Sequence, residues 1–396
     1  MLANTFMRAP GEAVGTFALE CAIDELAERL DIDPVELRTR NEPEKDPLQG
    51  TPFSSRHLVA AWRMGAERFG WSARQNKPRM RQEGEWLVGL GCAAATYPYH
   101  RMPGGAARIT LRRDGSAHLE FAAHEMGMGT ATTHAMVAAE RLGLPLAQVT
   151  VAYGDSALPG MILAGGSQQT ASVGHAVIEA QRALVAKLLA LAPAGSALHG
   201  LKPEDVAAFD GGLCKRDEPQ RFASYATLLA HAGIDEIGAE GEAPAPLELM
   251  HWSMHSYGAI FCEARVNAVT GEIRVPRLLG AYDCGRVINP KTAGSQLRGG
   301  MIMGMGMALM EENAFDERNG RIMNPSLAEY HVPVHLDVPE IDLVWTDIPD
   351  PHAPMGARGI GEIGITGTSA AVVNAIYNAC GRRVRTLPVT LDKLVD

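Results

Sequence analysis

The sequence predicts an α+β fold in which strands and helices are mixed, arranged as two subdomains, residues 1–240 and 241–396. Three observations carry that expectation. Apolar residues recur at helical spacing in several long stretches. Alternating strand patterns form hairpins around Asp114-Gly115 and Thr270-Gly271. Gly-bearing turns join strands to helix starts at 126–130, 165–172 and 359–365. At 396 residues the chain also exceeds one average domain, which favours more than one packed unit.

In chain order, residues 12–30 carry Leu19, Ile23, Leu26 and Leu30 at helical spacing, with acids on the other face. Asp33-Pro34 supplies an N-cap and a first helical position for a short second helix. The Pro-rich, polar stretch 41–56 is expected at the surface, and 86–97 is expected as a strand. Ile109 and Leu111 alternate before Asp114-Gly115, and Leu119 and Phe121 after it. A helix should run from Thr130 to Leu142, stopped by Gly143 and Pro145. A strand at Gln148–Tyr153, a loop at 154–170 and a helix at Ser172–Leu191 follow. Residues 192–250 show only weak periodicity. Paired strands at Ala259–Val266 and Glu272–Tyr282 come next, then a helix opened by Asn289-Pro290 that reaches about Glu312. Asn319-Gly320 marks a turn, Leu343–Thr346 a strand, and 365–380 a last helix ended by Gly381.

Composition excludes several classes. Hydrophobic residues make up 46% and charged residues 21%, enough material for ordinary cores. The 42 glycines exceed the usual ~7% share and cluster without a repeat period, so several loops should wrap a ligand. A net charge of −10 with no Lys/Arg cluster argues against a nucleic-acid partner. The six cysteines are widely spaced with no C-x-x-C, which argues against a zinc or iron–sulfur site within the chain and for reduced, buried thiols. No apolar run is long enough for a membrane span. The N-terminal residues carry no secretory or twin-arginine pattern, so the chain is expected in the cytoplasm, with the periplasm open if a partner carries it across.

The segment Gly359-Ile360-Gly361-Glu362 places one carboxylate among glycines just before a helix. Glycines allow close backbone approach to a bound group, and an acid held there could act as a general base. The competing reading is a Gly-rich turn whose Glu favours the helix start through its dipole. The three strand–turn–helix loops present backbone N–H groups of the kind that bind phosphate. Gly304-x-Gly306 reads as close helix packing, and Met301, Met303, Met305, Met307 and Met310 as core. The pairs His251/His255 and His331/His335 have metal-compatible spacing but no acidic partner, and Pro333 breaks the second helix.

Taken in order, the motifs resemble the C-terminal half of the molybdenum-binding large subunit of the xanthine dehydrogenase/aldehyde oxidoreductase (molybdenum hydroxylase) family, closest to its bacterial aldehyde-oxidising branch. The resemblance rests on Met7-Arg8-Ala9-Pro10-Gly11-Glu12-Ala13, on Glu125-Met126-Gly127-x-Gly129 and on Gly165-Gly166-Ser167. It continues through Asp283-Cys284-Gly285-Arg286-x-x-Asn289-Pro290, the run from Gln296 through Gly299-Gly300 to Glu311-Glu312, and Gly359-x-Gly361-Glu362.

That resemblance implies the fold of the family's molybdopterin-binding domain and oxidation of an aldehyde to a carboxylic acid with water-derived oxygen. Hydroxylation of a purine or other N-heterocycle is the alternative, and a truncated, non-catalytic cofactor-binding remnant a third reading. Glu362 would be the general base and Arg8 would flank the active site. Gln296, Met126, Gly127, Met128, Gly166, Ser167, Thr170 and Gly361 would hold a molybdenum–molybdopterin, whose nucleotide form, cytosine dinucleotide included, stays open. The implied partners are an iron–sulfur small subunit, an FAD-binding subunit, and a chain supplying the N-terminal half of the large subunit. Two departures stand out. Met128 occupies a position where relatives often carry Gln, and thioether sulfur cannot donate a hydrogen bond. The family's large subunit is also much longer, so either a split partner completes this chain or the chain is a truncated product.

Overall fold

The computed structural model describes residues 5–395. The chain enters through helix α1 (Glu12–Arg29), α2 (Pro34–Arg40) and α3 (Leu58–Phe69). Strands β1 (Gln82–Glu83), β2 (Trp86–Pro98), β3 (Ala106–Arg112) and β4 (Ala117–Phe121) follow, then α4 (Thr130–Leu142), β5 (Val149–Tyr153) and α5 (Gln169–Ala190). The poorly periodic stretch contains β6 (Val206–Phe209), β7 (Gly212–Lys215), β8 (Glu218–Ser224), α6 (Tyr225–Ala232) and β9 (Glu236–Glu242). The chain closes with β10 (His255–Asn267), β11 (Ile273–Asp283), α7 (Pro290–Leu309), β12 (Phe315–Asp316), β13 (Arg321–Ile322), β14 (Glu340–Trp345) and α8 (Thr368–Cys380).

A five-stranded sheet runs in the order β1-β2-β10-β11-β14, antiparallel except for the parallel β11–β14 edge. Its central strands are covered on both faces, and alternate side chains point to different cores. Ala259 and Phe261 meet Trp62, Phe69 and Trp71 beneath α3, whereas Ile260 and Cys262 join α1, α7 and α8 on the opposite face. Gly89 and Gly91 of β2 bring α8 close, because a Cβ at either would collide with the helix backbone at Ala375 and Ala379 or Ala371. Gly300 and Gly304 of α7 do the same for the segment entering α8; a Cβ there would lie 2.6 Å from Gly364 C and from Thr368 Cβ. The expected close packing at Gly304 is therefore present. Met301 and Met305 are buried in this core.

A four-stranded sheet, β5-β4-β3-β9, packs α4, α5 and α6 around a separate core, with the small β6-β7-β8 sheet beside it. This unit lies between β2 and β10 in sequence, yet those strands pair along their whole length, from Trp86↔Asn267 to Pro98↔His255. The second unit is thus an insertion into the first. The chain enters this unit between β2 and β3 and leaves it after β9. Buried Arg101 clamps both crossings: its Nε and Nη2 bind Glu248 at 2.6 and 2.7 Å, and Nη2 reaches the Ala245 carbonyl at 3.0 Å.

One element reverses the expected facing. Along α1 and at its C-cap the apolar residues Leu19, Leu26 and Leu30 are about half exposed, while Glu20 and Asp24 are buried. The acids turn inward because arginines from elsewhere meet them. Glu20 binds Arg38 Nε and Nη2 at 2.9 and 2.7 Å and accepts from Ala94 N–H, and Asp24 binds Arg383 at 2.9 Å. All six cysteines are free and buried. Among the described residues no helix is long and apolar enough to cross a membrane.

Candidate active site

The Glu362 segment is held by the ends of β10 and β11. Buried Arg358 places Nη2 at 2.8 Å from Asp283 Oδ1 and Nη1 at 2.7 Å from the His255 carbonyl, and its own N–H donates to Cys284 O at 2.9 Å. Ser256 Oγ donates to the Gly359 carbonyl at 2.7 Å. The loop 165–168 then lies directly against Gly359 and Gly361. A Cβ on Gly359 would sit 2.5 Å from Ser167 Cβ, and one on Gly361 3.1 Å from Ser167 Oγ. Close approach between backbones explains the glycines here.

Glu362 stands at the start of the short 3₁₀ turn Ile363–Ile365 but does not cap it. Its Oε1 accepts from Gly166 N–H at 2.8 Å and its Oε2 from Ala9 N–H at 3.1 Å. The carboxylate therefore spans two other loops, and the helix-start reading of this residue does not describe its contacts. An ionised carboxylate offers roughly four acceptor positions, so two N–H donors fix its orientation and leave room for a proton. Arg8 lies alongside. Its Nε donates to Gly361 O at 2.8 Å, Nη2 reaches Gln296 O at 2.8 Å and Oε1 at 3.4 Å, and Nη1 approaches Met303 Sδ at 3.6 Å. Burial holds the Arg8 guanidinium below its ordinary pKa, with the Glu362 charge acting in the opposite sense. Tyr97 completes the cluster: burial, then hydrogen bonding to Glu362, pushes its phenol above the ordinary range, so it faces the carboxylate as a neutral O–H.

Glu362, Arg8, Gly361, Gln296, Gly166 and Ser167 thus come together. Met126, Gly127, Met128 and Thr170 make none of these contacts. Thr170 lies in the first turn of α5, beside Gln169, whose Nε2 donates to His124 O at 2.9 Å and links the 124–130 loop to that helix. Within that loop the N–H groups are not free for an anion, contrary to expectation. The Glu125 carboxylate accepts from Gly127 N–H at 2.7 Å, from Gly129 N–H at 3.1 Å and from Thr130 N–H. Burial raises the Glu125 pKa, but these donors outweigh it and hold the group low. Met128 Sδ accepts from Met126 N–H at 3.2 Å, so this thioether serves its own loop.

One group does fit a ligand. Ser167 has a positive φ of 54°, and its buried Oγ has no hydrogen-bond partner among the described residues. A buried hydroxyl left in that state calls for a partner supplied from outside. It stands over Gly361, next to the Glu362 carboxylate. Sequence reasoning gave no role to Tyr97, Glu125, Ser256 or Arg358. Tyr97 lies at the end of β2, and nothing in its local pattern points to Glu362; Arg358 lies among the glycines of 356–361, where a lone cation was the available signal.

A cofactor-binding polypeptide built on two interleaved α+β units is what this fold and site define. The chain belongs to the molybdopterin cofactor-binding domain family, matching it at residues 64–339 and, through a second domain of the same description, at residues 1–42. Among its curated relatives is the aldehyde oxidoreductase molybdenum-binding subunit PaoC of Escherichia coli K12, 42% identical over 393 residues, covering 98% of this chain and 52% of the relative. The xanthine dehydrogenase molybdenum-binding subunit of E. coli O157:H7 is 29% identical over 401 residues, covering 98% and 53%. Of solved structures, quinoline 2-oxidoreductase from Pseudomonas putida 86 shares the fold with a TM-score of 0.83 at 24% identity, over 98% of this chain and 52% of that one. The chain spans about half the length of the curated relatives it matches.

Proposed function

We propose that this chain forms the catalytic-base side of a molybdenum hydroxylase and takes part in oxidising an aldehyde to a carboxylic acid. The observation that carries the reading is Glu362, fixed between Gly166 N–H and Ala9 N–H beside Arg8 and the unpartnered Ser167 hydroxyl. The relative of 42% identity bears an aldehyde oxidoreductase name, which favours aldehydes over the N-heterocycle alternative.

When bound, a molybdenum–molybdopterin supplies the two-electron oxidising centre. The residues that would hold it are Ser167 through its Oγ, Gln296 through its side-chain amide, and the backbone at Gly361. Glu362 takes the proton from the water-derived oxygen at Oε1 or Oε2, each of which keeps an acceptor position beyond its N–H bond. Arg8 grips the Gly361 and Gln296 carbonyls from one guanidinium, so the base and the cofactor-facing helix α7 keep a fixed separation. Tyr97 faces the carboxylate as a neutral phenol. Iron–sulfur and FAD groups on partner polypeptides belong to the proposal.

The test is purification from the native host with molybdenum and pterin assayed and co-purifying chains identified by mass spectrometry, followed by turnover with aldehydes and with purines. About one molybdenum per chain and turnover of aldehydes support the proposal. Turnover of purines alone replaces its substrate class, and absence of molybdenum in the purified complex overturns it.

A further inference from the structure

A cleft of about 700 Å³ opens between α4, α5 and the β6–β7 hairpin, and three arginines line it: Arg141, Arg182 and Arg216. Both helices begin beside the candidate active site, α4 after Gly129 and α5 at Gln169. At ~1.5 Å per residue, Arg141 and Arg182 lie roughly 17–20 Å along them, so the cleft is a separate place on the molecule.

Arg141 sets the cleft apart from a solvated charged surface. Among the described residues its buried Nε has no hydrogen-bond partner, and its Nη2 makes one long contact, 3.5 Å, to Gln181 Oε1. The nearby acids are engaged elsewhere. Arg286 takes both oxygens of Glu140 at 2.8 and 2.6 Å, and Arg182 reaches Glu179 at 2.6 Å. Arg216 Nε donates to the Glu204 carbonyl at 2.9 Å; Glu204 also lines the cleft, but the acids acting most on Arg141 are Glu140 and Glu179. Burial, then the charge of Arg182, holds the Arg141 guanidinium below its ordinary pKa, as expected for a cation short of counter-charge. Pro203, Ala207 and Ala208, each partly accessible, supply an apolar wall.

We propose that this cleft binds a phosphate monoester, with the phosphate on Arg141 between Arg182 and Arg216 and the organic body against Ala207 and Ala208. Guanidinium forks match phosphate oxygens two at a time, and a dianion answers several cations better than a single carboxylate does. The volume suits a small molecule. No step at Glu362 is involved, so the site stands independently of the proposed reaction.

Isothermal titration of the full chain in low-chloride buffer with inorganic phosphate and with a nucleoside monophosphate tests it, using wild type, Arg141→Gln and Arg216→Gln. The expected result is saturable binding of the monophosphate with a Kd below ~1 mM, tighter than inorganic phosphate, and at least a tenfold loss in each variant. Arg216 is exposed, so its variant carries the test if Arg141→Gln fails to fold. Absence of saturable binding to wild type, or unchanged affinity in a folded variant, overturns the assignment.

Discussion

Replacing Gly359 by Ala would separate the loop that carries Glu362 from the loop that holds it. The added Cβ would lie 2.5 Å from Ser167 Cβ and 2.7 Å from Ser167 O. Carbon atoms rest at about 3.5–4.0 Å, so the two loops must part by roughly 1 Å. Neither opposing atom can rotate away, because one is a Cβ and the other a backbone oxygen. Overpacking of this kind costs about 1–3 kcal/mol. The same shift would stretch the 2.8 Å bond from Gly166 N–H to Glu362 beyond hydrogen-bonding range. A misplacement of ~1 Å costs on the order of 100-fold in rate. Urea unfolding would read the first effect as a lower midpoint at unchanged slope. Turnover per molybdenum, in the assembled enzyme, would read the second. Gly15→Ala is the control: it lies within α1 with nothing within 4 Å of the new Cβ. It should stabilise by about 0.5–1 kcal/mol. If Gly359→Ala matched Gly15→Ala in both stability and turnover, the loop contact would have no role in placing the base.

Three further outcomes follow from the geometry. Arg38→Ala should cost about 3–5 kcal/mol in urea unfolding, since Arg38 and Glu20 are 6% and 5% exposed; Arg40→Ala, breaking the exposed pair with Glu36, should cost less than about 1 kcal/mol. Among the described residues neither ring nitrogen of buried His134 has a partner, and burial lowers its pKa from 6.5 to about 4. The unfolded chain therefore binds the extra proton first, and stability present above pH 6.5 falls as pH drops towards 4, by roughly 3 kcal/mol. His134→Leu should flatten that acid limb, which pH-dependent unfolding would show. Arg8→Lys keeps a charge but not the fork between Gly361 O and Gln296 O, so turnover per molybdenum should fall roughly 10- to 100-fold.

Local chemistry made much of the fold legible. Asp33 and Asn289 cap α2 and α7 through their side chains, Gly143 ends α4 in the left-handed region, and both hairpins turn at Asp114-Gly115 and Thr270-Gly271. What depended on distant partners was not legible. The inward turn of Glu20 and Asp24 needs Arg38 and Arg383, which no helical periodicity within α1 announces. Helix α3 went unread although Leu58, Ala61, Trp62, Gly65 and Phe69 recur at its spacing, because His57 offers no side-chain cap. The strands of 192–250 are short and half exposed, so their alternation is weak. The insertion of one unit into another follows from the pairing of β2 with β10, across more than a hundred intervening residues.

At the site, the residues drawn from ordered motifs converge: Arg8, Gln296, Gly166, Ser167 and Gly361 all touch the Glu362 segment or one another. The backbone-anion expectation for 126–130 fared differently, because Glu125 lies just before the turn and folds back onto its N–H groups. An acid adjacent to a Gly-rich turn is a signal that such donors are already engaged.

The most direct measurement is a comparison of wild type with Glu362→Gln in the assembled enzyme, scoring molybdenum and pterin content alongside single-turnover reduction by an aldehyde. Gln keeps the acceptor that meets Gly166 N–H but cannot take a proton at neutral pH. The account predicts unchanged cofactor content and loss of nearly all turnover. Near-normal turnover at equal cofactor content would contradict it and remove Glu362 from the chemistry.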